Sequence, residues 1–245
     1  AQARPPDRER RRVNAGEPSH TAIQVAASRA AHLRFDPPPH LLEDRIAEQL
    51  LGEDAERLIA SYGRGAPWIL LENRLFLPFR GRFGEERIAE AHAAGVRQLV
   101  ILGAGLDSFA FRRPATLAGL RVFEVDHPAT QGWKRARLAA SGIREPVDLE
   151  FVECDFEATS VSAALRASSF RPGEPAIVSW MGVVYYLARE TVERALEELA
   201  GLLAPGSAVV LDYQFPLEDL PQRYRDVFAQ QSAYLQRAGE PQVNR

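Results

Sequence analysis

The stretch from Gln98 to Ser108, QLVILGAGLDS, constrains the fold more than any other part of the chain. Leu99, Val100, Ile101 and Leu102 are four consecutive apolar residues, two of them β-branched, with no polar side to offer to solvent. Such a run predicts a strand covered on both faces, at the centre of a parallel sheet. Gly103 and Gly105 end it, permitting a tight turn and letting the backbone come close to a ligand that a Cβ would push away. The turn is a candidate binding loop.

Four more apolar runs of strand length follow, over 120–126 (LRVFEVD), 149–156 (LEFVECDF), 175–183 (PAIVSWMGV) and 207–215 (SAVVLDYQF). Helical patterns separate them. The clearest covers 188–206, where Val192, Ala195, Leu196, Leu199, Leu202 and Leu203 share a face and Pro205-Gly206 stops the helix. Strands alternating with helices predict an α/β fold with a mostly parallel, doubly wound sheet.

Ahead of the sheet, residues 18–95 read as an N-terminal helical cap. One helix starts at Ser19 or Thr21 and runs to Leu33, a second covers 41–51 before Gly52, and a third covers 84–95. Trp68, Phe76, Phe79 and Phe83 lie between the last two, and plain packing is preferred for them over a pocket wall. Residues 1–17 carry alternating charge and few apolar side chains, which predicts a mobile arm; residues 96–245 form the ligand-binding α/β domain.

A net charge of −3 gives no basic face for a phosphate backbone, despite the local cluster from Arg8 to Arg12, so a nucleic-acid partner is not expected. Lys134 is the only lysine among 30 basic residues, a bias that carries no functional weight here. Cys154 is alone, so no intrachain disulfide forms and a reducing compartment fits. No apolar run approaches the ~20 residues of a membrane span, and the cytoplasm is the expected location. His20, His32, His40 and His92 stand at no ligand spacing, and no metal site is expected.

Ligands of doubly wound sheets bind outside the carboxyl ends of the strands. There the chain places Gly103-Ala104-Gly105-Leu106-Asp107, then Glu124 and Asp126, then Asp155-Phe156, then Trp180-Met181-Gly182. An acid about 20 residues after the first glycine can accept hydrogen bonds from ribose hydroxyls. Glu124 and Asp126 both meet that spacing, and Asp126 is preferred. Asp155 suits an adenine amino group, with Phe156 against the base. The loop departs from G-x-G-x-x-G: Ser108 takes the third glycine's place, and Asp107 before it would repel a pyrophosphate. A cofactor with a zwitterionic, cationic tail fits better than NAD. S-adenosylmethionine has such a tail.

Together, VILGAGLDSFAFR, VFEVDHP, WKRARL, CDF and SWMGVVYYL resemble the bacterial branch of the leucine carboxyl methyltransferase family, which are S-adenosylmethionine-dependent O-methyltransferases. The resemblance runs from about Pro18 to Phe215. It implies a class I methyltransferase fold, Rossmann-like, beneath the cap. It also implies that Gly103 touches the cofactor, Asp126 binds the ribose, Asp155 and Phe156 frame the adenine, and Arg80 of RGRF holds the cofactor carboxylate. Met181 stands where several members have a glutamate, so that polar contact is expected to be absent or supplied elsewhere. The family continues past a G-E-P motif into the last two of seven strands. Here Gly239-Glu240-Pro241 is followed only by QVNR, so those strands are not expected in this sequence.

The expected reaction is methyl transfer to a carboxylate or hydroxyl oxygen of a small molecule, such as a secondary metabolite. Ala104, Asp107, Glu124, Trp180 and Met181 complete the cofactor-site candidates. Tyr185, Tyr186 and Tyr213 are candidates for the acceptor pocket, or for cation–π contact with the sulfonium. A hydroxyl acceptor would need a base, for which His127 and Asp212 are the candidates near the strand ends; a carboxylate needs none. Two alternatives stand beside this reading. A nicotinamide-dependent oxidoreductase is disfavoured by the missing third glycine, and a non-catalytic interaction protein retaining the fold is favoured if the departures at Met181 and the C-terminus removed the active site.

Overall fold

The computed structural model describes residues 19–237 and 240–243, so the expected arm over 1–17 lies outside the described residues. Four helices come first: α1 (His20–Phe35), α2 (Arg45–Leu51), α3 (Ala55–Ala60) and α4 (Trp68–Ala93). Ser19 caps α1, its Oγ accepting from the Ala22 N–H at 3.2 Å, which satisfies one of the donors a helix start leaves open. Asp44 caps α2 in the same way through the Ala47 N–H at 3.0 Å. That cap begins the helix at Arg45 rather than at Leu41, where the apolar spacing starts.

The stretch from 68 to 93 is one helix of 26 residues, not aromatics followed by a shorter helix. Pro78 lies inside it, where the ring removes the N–H that would bond the Arg74 carbonyl, yet the helix continues. Its aromatics are not packed away: Trp68, Phe76, Phe79 and Phe83 are 53%, 49%, 54% and 42% exposed, which corrects the packing expectation. Trp68 and Phe76 instead line a cleft at the carboxyl ends of the strands, and Arg87 stacks over Phe83 at 5.3 Å.

The α/β part follows as β1 (Gln98–Leu102), α5 (Phe109–Arg112), β2 (Arg121–Asp126), α6 (Pro128–Ala140), β3 (Leu149–Glu153), α7 (Val161–Arg166), β4 (Ala176–Trp180), α8 (Arg189–Leu202), β5 (Ala208–Leu211) and α9 (Gln222–Arg237). The five strands form one parallel sheet in the order β3-β2-β1-β4-β5. β1 is central, with Leu99 opposite Val122 on one side and Ile177 on the other. Its residues alternate between two cores, as strand geometry requires. Leu99 and Ile101 join Ile88 of α4 and Phe109 of α5, whereas Val100 and Leu102 join Leu165 of α7 and Leu199 of α8. A third core closes the cap, where Ala26, Leu50 and Ile59 meet Leu106 from the glycine loop and Leu138 from α6.

β3, β4 and β5 each end before their apolar runs do, so the residues past those carboxyl ends are loops. The switch of direction falls between β1 and β4, which opens the crevice where doubly wound sheets bind ligands. Among the described residues no helix is long and apolar enough to cross a membrane, and no group of His, Cys, Asp or Glu could hold a metal.

Candidate cofactor and acceptor site

The glycine loop is built by backbone bonds to β2. Gly103 and Ala104 donate to the Val125 carbonyl at 2.8 and 3.3 Å, and Asp107 donates back to Ala104 at 2.7 Å. Gly103 has φ +64°, and a Cβ there would stand 2.5 Å from Val183 Cγ2. Both its left-handed backbone and its close packing therefore require glycine. The carboxylate of Asp126 clamps the loop from the next strand: one oxygen accepts the Gly105 N–H and the other accepts the His127 N–H at 2.6 Å. Burial pushes the Asp126 carboxyl above the usual range, while those two N–H groups and Lys134 pull the other way. A desolvated carboxylate held by two backbone donors is oriented rigidly, and its remaining lone pairs suit a diol.

Behind the loop lies a buried charge network that the sequence did not announce. Arg29 of α1 pairs with Asp44 at 2.9 Å and donates to the Leu106 carbonyl at 2.6 Å. Ser108 donates to the same Asp44 oxygen at 2.6 Å, and Arg112 bonds both Ser108 and Glu85. Burial raises the Asp44 carboxyl, but Arg29, Arg112 and Ser108 outweigh it and hold the group below its ordinary value. The network fastens the cap helices to the loop that faces the ligand.

On the β4–β5 side, Arg80 of α4 donates to the Tyr185 hydroxyl at 2.9 Å and pairs with Asp212 at 3.3 Å. The other Asp212 oxygen accepts the Gly182 N–H. Gly182 has φ +78°, and a Cβ there would meet the Arg80 guanidinium at 2.5 Å. A cleft of about 2240 Å³ spans both groups. Small-molecule sites hold roughly 300–1,000 Å³, so this one has room for two ligands.

The profile of the leucine carboxyl methyltransferase family matches residues 22–200. The chain belongs to that family. It is 34% identical over 218 residues to a Bacillus subtilis protein provisionally named S-adenosyl-L-methionine-dependent methyltransferase YktD, covering 80% of this chain and 71% of that protein. It is 36% identical over 197 residues to a likewise named protein of Parafrankia, covering 78% and 62%. The chain thus spans about two thirds of the length of these relatives. Two solved structures share the fold: a protein provisionally assigned as a methyltransferase from Thermobifida fusca (TM-score 0.53, 20% identity, 85% of this chain and 79% of that one) and a DUF574 family protein from Streptomyces avermitilis (TM-score 0.52, 17% identity, 96% and 81%). The fold is that of the class I methyltransferases.

Within this family fold, Arg80, Gly103, Ala104, Gly105, Asp107, Asp126, Asp155, Phe156, Met181, Tyr185, Tyr186 and Tyr213 all line the one cleft. Two candidates do not. Glu124 points below the rim, is 1% exposed, and pairs with Lys134 of α6. Trp180 is fully buried and packs against Phe156 at 6.2 Å between ring centroids, while its neighbour Ser179 lines the cleft, as strand alternation demands. Asp107 accepts the Phe109 N–H at 2.8 Å and so also serves as a turn-former at α5. Asp155 accepts the Glu157 N–H at 3.0 Å, which fixes its side chain at the mouth of β3.

Of the two candidate bases, Asp212 has both oxygens engaged, and His127 uses Nδ1 to accept the Ala129 N–H at 3.2 Å as the cap of α6. Sequence reasoning missed Glu72 of α4, which lines the cleft and whose carboxyl is raised by burial. It also missed Glu240, whose carboxylate accepts the His20 and Thr21 N–H groups at 2.6 and 2.9 Å and so tethers the start of α1. Only the G-E-P motif hinted at that residue.

Proposed function

We propose that this chain is an S-adenosylmethionine-dependent O-methyltransferase whose acceptor is a small-molecule carboxylate. The observation that carries the cofactor reading is the Asp126 carboxylate clamped by Gly105 and His127 beside the Gly103 turn at the carboxyl ends of β1 and β2, in a chain whose relatives are named for that cofactor. S-adenosylmethionine supplies an electrophilic methyl group on a sulfonium when bound. Asp126 accepts the ribose hydroxyls, Asp155 and Phe156 take the adenine, and the free donors of the Arg80 guanidinium take the carboxylate of the amino acid tail. The chain's contribution to rate is alignment of the acceptor oxygen behind the methyl carbon, which supplies up to ~7–11 kcal/mol when the geometry is right.

Tyr185 and Tyr186 on one side and the exposed Tyr213 on the other suit the walls of the acceptor pocket. A carboxylate acceptor is favoured because Asp212 and His127 are both occupied as hydrogen-bond acceptors. Calorimetric titration tests the cofactor: S-adenosylmethionine and S-adenosylhomocysteine are expected to bind while NADH gives no heat. Binding of NADH alone would point to the oxidoreductase reading, and binding of none of them to a non-catalytic protein that keeps the fold.

One observation favours a hydroxyl acceptor instead. Glu72 faces the cleft with a carboxyl raised above its ordinary range by burial, a shift in the direction that makes a carboxylate a stronger proton acceptor. The two readings separate on Glu72→Gln. With a carboxylate acceptor, kcat/KM should stay within about twofold; with a hydroxyl acceptor needing a base it should fall by about 10²–10⁴-fold, with loss of the acid limb of the pH–rate profile.

A further inference from the structure

Lys134 is the only lysine in the chain, and its side chain is 1% exposed. Its ammonium contacts the Glu124 carboxylate and lies 5.7 and 5.8 Å from the ring centroids of Phe111 and Phe151. A compact point charge fits between rings and a carboxylate where a planar guanidinium with five donors would not. Glu124 offers it only one oxygen, since the other has no hydrogen-bond partner among the described residues. A lone ion pair gains little for stability once its desolvation is counted, and well-packed neutral residues often serve as well. The placement of this one calls for another explanation.

Glu124 and Asp126 alternate onto the same face of β2, so Lys134 on α6 sits beneath both. Gln131 pins α6 there, donating to the Glu124 and Val152 carbonyls at 3.0 and 3.3 Å. The groups that act on Asp126 are His127 beside it, Glu124 on its own strand and Lys134 on α6. Asp107 of the glycine loop faces Glu124, and Cys154 beyond β3 feels the Asp126 charge. Besides Asp126 itself, three of these are carboxyl or thiol groups, against the single lysine.

We propose that Lys134 is a positioning residue of the cofactor site: it is the buried countercharge that keeps the Asp126 carboxylate ionised in a desolvated clamp, able to accept hydrogen bonds from a diol. Glu124 is its partner and modulator. Glu124 shares the face of β2 with Asp126, so neutralising it removes a like charge and leaves the Lys134 charge to act on Asp126 alone. Removing the cation therefore moves the Asp126 midpoint upward, whereas neutralising Glu124 alone does not raise it.

The proposal rests on the reading of Asp126 as the ribose ligand only for its functional consequence, so two readouts are used. The variants are Glu124→Gln and the double variant Glu124→Gln/Lys134→Met, which removes the pair as a unit and leaves no uncompensated buried charge. In the protein without ligand, carbon-13 NMR of the Asp126 carboxyl should show a midpoint at least half a pH unit higher in the double variant than in Glu124→Gln. In calorimetry with S-adenosylhomocysteine, the pH at which affinity is half lost should rise by the same amount, about a threefold loss in Kd at a fixed pH on that limb. An unmoved carboxyl midpoint overturns the proposal, even if the melting temperature falls, because a merely structural pair would change stability alone. A moved midpoint with an unchanged binding limb keeps the electrostatic role and overturns the ribose assignment.

Discussion

Asp126→Ala is expected to weaken S-adenosylmethionine binding by about 1.5–3 kcal/mol, roughly 10–150-fold in Kd, the amount typical for hydrogen bonds to a charged acceptor. The carboxylate is held by the Gly105 and His127 N–H groups, so its orientation does not have to be selected when a ligand arrives. Removing it also leaves those two N–H groups without their acceptor, and each buried unpaired donor costs about 1–3 kcal/mol of stability. A loss of affinity from a loosened loop must therefore be told apart from loss of the ribose acceptor. Asp126→Asn does this, because its amide oxygen can still take one N–H while its charge is gone. Affinity should fall in both variants, with unfolding in urea affected mainly in Asp126→Ala. Unchanged affinity in both would remove the ribose assignment.

The part of the site that the sequence disclosed is the part built on β1. Leu99 to Leu102 are buried on both faces, and only a central strand needs that, so the strand and its turn could be placed without ambiguity. The strand ends were harder. Apolar character continues past the last ladder bond at Phe156, at Met181 to Val183 and at Tyr213, because these residues wall a cleft instead of joining the sheet. Spacing alone does not separate Glu124 from Asp126, two residues apart on one strand face; depth below the rim does, and depth is a property of the packed helix α6. Trp180 follows the same logic, since one residue of register along β4 turns a side chain from the cleft into the core.

Other features left weak traces. Pro78, Gly81 and Gly84 look like helix breaks, yet α4 runs through all three because its packing against the sheet and α1 outweighs their local preference. Lys134 could be noticed as a compositional oddity but not understood, because nothing in a sequence marks a lysine as buried. The network of Arg29, Asp44, Ser108, Arg112 and Glu85 draws on four separate segments, and no spacing rule connects them.

That network carries the largest expected effect on stability. Asp44→Ala should destabilise the fold by about 3–5 kcal/mol, the loss that follows when one member of a buried ion pair is removed and its partner charge stays behind. Asp44 is fully buried, and Arg29 is 7% exposed, so bulk solvent does not reach the charge left behind. The substitution also removes the α2 cap at the Ala47 N–H, worth ~1 kcal/mol. Asp44→Asn can restore the cap and the Ser108 bond but not the charge, so it should recover only about that last amount. Because the native carboxyl sits below its ordinary value, its contribution is present above the unfolded pKa and fades as pH falls through the folded one. Urea unfolding at neutral pH and in acid measures both. The difference between parent and Asp44→Ala should shrink in acid, and a cost under about 1 kcal/mol at neutral pH would mean that hydrophobic packing of Leu106 against the cap, rather than this charge network, holds the glycine loop in place.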